Sequence, residues 1–114
     1  MPYARLLNAR SLVSACLLAA LVSAASAQDD DVTIGVNEVA DGVYMLTGQG
    51  GNIGLSVGDD GAFLIDDQFA PLTEKILAAV GSVTDRPVRF LINTHHHGDH
   101  TGGNENIAAA GAAI

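Results

Sequence analysis

All four histidines of this 114-residue chain stand between His95 and His100, with Asp99 among them. They follow directly on Val88-Arg89-Phe90-Leu91-Ile92, a β-branched and aromatic run that reads as a buried strand. That placement constrains the fold more than any other feature. A strand end gives a rigid base and the loop after it gives reach, the usual arrangement for residues that do chemistry. If the backbone is still roughly extended there, His95 and His97 point the same way and His96 points away. Gly98 then permits a sharp turn that brings Asp99 and His100 to the same space. Imidazole nitrogens with a carboxylate oxygen form a ligand set suited to zinc. The bland alternative is a surface cluster that binds metal casually. Interleaved Asp99 and flanking glycines at a strand end argue against it.

The chain before the cluster divides by period. Val32 to Val39, Val43 to Thr47, Ile53 to Val57 and Ala62 to Ile65 read as four short strands. Asp41-Gly42, the glycine-rich Gly48 to Asn52 and Gly58-Asp59-Asp60-Gly61 separate them, which predicts an antiparallel meander. Pro71 then opens a helix whose Leu72, Ile76, Leu77 and Val80 recur at helical spacing, with Gly81 as its expected end. A last helix is expected from Asn104 through Ala110.

Residues 1–27 carry a different composition. Arg5 and Arg10 precede the apolar run Leu12 to Val22, and Ala25-Ser26-Ala27 is a small-x-small cleavage site, so the segment reads as a secretory signal peptide. An exported protein, periplasmic or secreted, with no stable membrane anchor is expected. Val13-Ser14-Ala15-Cys16 is similar to a lipoprotein cleavage box, which makes lipidation at Cys16 the rival to cleavage after Ala27. Most of the apolar run lies after Cys16, where such a box should end it. Residues 28–32 form an acidic leader, and residues 33–114 the folded part. From Gln28 onward Lys75, Arg86 and Arg89 face all thirteen acidic residues, a balance that excludes nucleic acid as a partner. A small-molecule substrate is expected instead.

The segment Thr94 to Asn104 resembles the His-x-His-x-Asp-His signature of the metallo-β-lactamase superfamily, matched by His95, His97, Asp99 and His100. Phe90 to Thr94 before it, Thr101-Gly102-Gly103-Asn104 after it, and the upstream Gly51-Asn52-Ile53-Gly54 and Leu64-Ile65-Asp66-Asp67 are similar too. The resemblance implies an α/β fold, the αβ/βα sandwich, of which this chain holds the first half. It implies that His95 and His97 bind a first zinc, and that Asp99 and His100 bind a second. It also implies that a hydroxide between the metals cleaves a lactam, lactone, ester or thioester, with Asp99 as the catalytic residue that orients it.

The superfamily takes a third histidine, a bridging aspartate and a last histidine from beyond the signature, and none follows His100 here. Two protein ligands fall short of the three usual at a catalytic zinc. One sheet face is also expected to lack its covering layer. These departures predict an N-terminal piece of a longer hydrolase, with little activity by itself. A non-catalytic periplasmic metal-binding protein and an iron-bearing redox member of the superfamily are the alternatives. Other residues are weighed more evenly. Asp66 and Asp67 are either plain turn residues or supports of the histidine loop. Gly50, Gly51 and Asn52 favour a hairpin turn over a substrate entrance. Tyr44 and Phe63 are expected in the core, and His96 faces outward as a non-ligand.

Overall fold

The alternating apolar residues pair into one sheet. A computed structural model describes residues 31–114. The expected signal peptide, and all but the end of the acidic leader, lie outside that range. Strands β1 (Gly35–Ala40), β2 (Val43–Thr47), β3 (Ile53–Gly58) and β4 (Gly61–Ile65) run antiparallel in chain order. Helix α1 (Thr73–Val83) then carries the chain back, and β5 (Val88–Ile92) joins β4 in parallel. Parallel neighbours need such a crossover. Two short helices follow, α2 (Gly98–Thr101) and α3 (Asn104–Ala109). Among the described residues, no helix is long and apolar enough to cross a membrane.

Register decides which face each side chain takes. Leu55 pairs with Leu64, and Leu64 with Leu91, so the three share one face. There they cluster with Leu46 and Ile53, with Leu72, Ile76 and Val80 from the α1 region, and with Ile107 of α3. Every one of these is buried. The opposite face carries the row Val43, Ser56, Phe63 and Phe90, and beside it Met45, Gly54, Ile65 and Ile92. Val43, Ile65, Phe90 and Ile92 are exposed, so this face lacks a covering layer among the described residues, as expected.

Three expectations need correction. The β5 run is not buried throughout: only Leu91 is, because Phe90 and Ile92 point to the uncovered face. Phe63 lies on that same face, half-buried and stacked on Phe90 at 5.0 Å between ring centroids, while Tyr44 does pack against the core. The helix does not stop at Gly81 but runs to Val83, with Thr84 extended after it. Pro87, which restricts Arg86 to extended backbone, sets the stop close by. At the start, Pro71 sits in a 3-10 turn, Ala70–Leu72, that leads into α1.

The parallel β4–β5 pair fixes where chemistry is possible. Both strands end at the same edge of the sheet, so the residues after Ile65 and after Ile92 meet there. The Asp66 N–H donates to the Ile92 carbonyl at 2.9 Å and closes that junction.

Candidate functional site

Four donor atoms converge at this edge, in two pairs. The chain bends through Thr94–His96, and His97 is the residue that opens α2. His97 caps the short helix with its carbonyl, which accepts from the His100 N–H at 3.0 Å and the Thr101 hydroxyl at 3.1 Å. Its imidazole turns toward His95, with its Nδ1 3.0 Å from His95 Nε2. In the second pair, His100 Nε2 stands 3.3 Å from Asp99 Oδ2. The His95 and His100 rings are 4.0 Å apart, so the pairs adjoin. His95 and His97 are exposed, whereas Asp99 and His100 are half-buried. His96 is exposed as well, and it shares no hydrogen bond with the four.

One buried carboxylate orients both pairs. Asp66 is only 3% exposed. Its Oδ1 accepts from the Thr94 N–H at 2.8 Å, and its Oδ2 accepts from the Thr94 hydroxyl and from His100 Nδ1, each at 2.7 Å. The Thr94 hydroxyl has a single proton. Given to Asp66, it leaves the Thr94 oxygen to accept from His95 Nδ1, 3.0 Å away. Both imidazoles therefore carry a proton on Nδ1, which leaves Nε2 as the atom available to a metal. His95 Nε2 faces His97, and His100 Nε2 faces Asp99. Carboxylate-set tautomers of this kind are what metal-ligating histidines require.

The electrostatics follow from these contacts. Burial alone would raise the Asp66 carboxyl, but the Thr94 N–H, the His100 ring and the Thr94 hydroxyl hold it below its usual value. The Asp66 hydrogen bond raises the His100 imidazole, against some desolvation and with help from the Asp99 charge. Asp67, wholly buried, differs. Burial pushes it up to about 6, opposed by the Gly103 N–H that reaches its Oδ1 and aided by the neighbouring Asp66 charge. Its Oδ2 has no hydrogen-bond partner.

A folded-state value above the unfolded one means the native chain holds the Asp67 proton more tightly. Stability is then full below about pH 4 and falls as pH rises to about 6, by on the order of 2 kcal/mol. In that window the Asp66–His100 pair contributes a constant amount, because Asp66 titrates below it and His100 above it. Urea midpoints of metal-free protein across this range should fall with pH for the native chain and stay flat for Asp67→Asn. An equal slope in both would remove Asp67 as the cause.

The donor chemistry fits zinc. Two ligands of a tetrahedral zinc, each about 2.0–2.1 Å from it, lie roughly 3.3 Å apart. The 3.0 Å and 3.3 Å separations within the two pairs are close to that. Among the described residues, however, no group of three or more His, Cys, Asp or Glu is arranged to hold one ion, and the donors stay two and two.

Two supports beyond the signature complete the site. Asn93 and Asn104 hydrogen-bond reciprocally, with Asn93 also reaching the His100 carbonyl, so the ends of the ligand segment are tied together. Gln68, fully buried, reaches the glycine loop between β2 and β3. Asn93 and Asn104 bracket the cluster in sequence, which is a usable signal. Nothing in the sequence marks Gln68.

The model of the metallo-beta-lactamase superfamily matches residues 46–114, which contain every residue of this site. The chain belongs to the metallo-beta-lactamase superfamily. A hydroxyacylglutathione hydrolase of Rhodospirillum rubrum is 54% identical over 39 residues, which is 34% of this chain and 15% of that protein. A metallo-beta-lactamase of Cronobacter sakazakii with a HARLDQ motif is similar in structure, with TM-score 0.65 and 22% identity. The match covers 72% of this chain and 33% of that one. A metallo-beta-lactamase of Pseudomonas aeruginosa in its mono-zinc form matches with TM-score 0.63 and 23% identity, over 74% of this chain and 43% of that one. The metallo-beta-lactamase fold expected from the signature is thus shown, and the chain spans under half the length of these relatives.

Proposed function

We propose that this chain is the ligand-bearing N-terminal half of an exported zinc-dependent hydrolase that cleaves a small-molecule lactam, lactone, ester or thioester bond. The observation that carries the reading is the pairing of ligand-type atoms: His95 Nε2 with His97 Nδ1, and His100 Nε2 with Asp99 Oδ2, both oriented through Asp66. A casual surface cluster needs no buried carboxylate to select its tautomers. His95 and His97 would hold one zinc, and Asp99 and His100 another. Zinc held there would supply a water acidic enough to act at neutral pH and would polarise the bond under attack. Asp99 keeps its carboxylate toward the reacting water, and Asp66 keeps His100 from turning its protonated nitrogen inward. The relatives, named as hydroxyacylglutathione hydrolase and beta-lactamases, support a hydrolytic reaction but do not choose among the four bond types. Export rests on the signal-like residues 1–27.

The test uses the protein as its own host makes it, with its intact mass measured first. Zinc content is then determined, and a β-lactam, a lactone, an ester and a thioester are offered before and after chelation. The expected result is two zinc ions per protein and hydrolysis of at least one substrate, lost on chelation and restored by zinc. Zinc uptake with no hydrolysis of any substrate would overturn the enzyme reading in favour of a metal-binding protein. Iron in place of zinc would point to the redox alternative.

A further inference from the structure

We infer that Gln68 is a positioning residue whose buried carboxamide seats the glycine loop between β2 and β3 against Asp99 and His100. The inference deepens the proposed function, because it rests on that pair being a metal-holding one. Gln68 is fully buried and adopts φ +55°, a conformation a residue with a side chain seldom takes. Both ends of its amide are used. Nε2 donates to the Gly51 carbonyl at 2.6 Å, and Oε1 accepts from the Gln49 N–H at 3.3 Å. A hairpin turn needs no such clamp from a residue in another loop. Without it, those two backbone groups lose their partners, and Gly48, Gly50 and Gly51 leave the loop little order of its own.

The clamped loop forms a wall of the site. A Cβ on Gly50 would stand 2.7 Å from Asp99 Cβ and 3.1 Å from the Phe69 ring, and one on Gly51 would overlap the His100 imidazole. Bare backbone therefore packs directly on the second donor pair. His100 is held on one side by Asp66 and on the other by Gly51, so its ring cannot rotate Nε2 away from Asp99. Gln68 touches neither donor and acts on both through the loop. The His95–His97 pair lies outside this contact. The sequence had favoured a plain turn at Gly50–Asn52; the contacts make it a wall of the site as well.

The experiment compares the native protein with Gln68→Met, which keeps side-chain length but neither hydrogen bond, and with Gln68→Glu. The Glu variant keeps an acceptor for the Gln49 N–H and loses the donor to Gly51; it serves if the Met variant does not fold. In metal-free protein, ring ¹⁵N signals report each imidazole and amide hydrogen exchange reports Gln49. Cobalt(II) titration, followed by its visible spectrum, then reads the two metal steps. The expected result is faster exchange at Gln49 and shifted or broadened His100 ring signals, with His95 and His97 unchanged. The second cobalt equivalent should bind about tenfold more weakly, and the first as in the native protein. Unchanged His100 signals in a folded variant would overturn the inference, whatever cobalt does. If the native protein takes up no cobalt, the functional reading falls, and the ring signals still decide the role of Gln68.

Discussion

Asp99→Ala is expected to lower kcat/KM of the whole protein by roughly 10³-fold or more, while zinc stays at the His95–His97 pair. Asp99 lies in the first turn of α2, and its Oδ2 faces His100 Nε2 at 3.3 Å. Removing the carboxylate leaves a single imidazole on that side, too few donors from this chain to retain the second ion. It also removes the group that orients the attacking water. Folding should change little, because Asp99 is half-buried and its charged neighbour is His100, one residue away. Asp99→Asn keeps a neutral oxygen ligand and should fall between the two. Zinc content and steady-state kinetics on the same samples separate the outcomes. Lost turnover with zinc retained at both pairs would assign Asp99 to water alone. Turnover within about threefold of native would remove it from the chemistry. A metal-binding protein would have no turnover to lose.

Much of this site was legible because its donors are local. Four candidate ligands close together after one strand can be read from the sequence, and the strands before them declare themselves by alternation and by Asp-Gly turns. What could not be read depends on register between distant segments. Asp66 reaches Thr94 and His100 only because β4 and β5 lie parallel and end together, so the sequence left it evenly between turn and support. Gln68 is a neutral residue after two aspartates, and its partner is backbone in another loop, so no pattern betrays it. The β5 run misled for a related reason. A run rich in β-branched and aromatic residues reads as buried, whereas nothing among the described residues covers Phe90 and Ile92. Gly81 misled because glycine can end a helix without having to, and its φ here is not positive.

Asp66→Asn should weaken uptake of the second zinc by about 10- to 100-fold and cost on the order of 2 kcal/mol of stability. Asparagine can keep its oxygen toward the Thr94 N–H, but its NH₂ then replaces the Oδ2 that accepts from the Thr94 hydroxyl and His100 Nδ1. Donor would face donor. The ring escapes by moving its proton to Nε2, so that Nδ1 accepts from the new amide. That swap points an N–H at Asp99 where a lone pair is needed, and the pair ceases to be a ligand set. The pH dependence should change too. In native metal-free protein the pair holds Asp66 below, and His100 above, their usual values. The His100 share of stability is full below the usual imidazole range and lost as pH rises through its raised value. The Asp66 share is full above the usual carboxylate range and lost as pH falls through its lowered one. Zinc must displace the His100 proton, so native zinc affinity should weaken steeply as pH falls below the raised imidazole value. The variant should bind weakly throughout, with a shallower slope in that region. Chelator competition across pH 5 to about 8 measures both quantities. Native affinity and native slope in Asp66→Asn would show that His100 keeps its orientation without the carboxylate, and that neither donor pair owes its tautomers to Asp66.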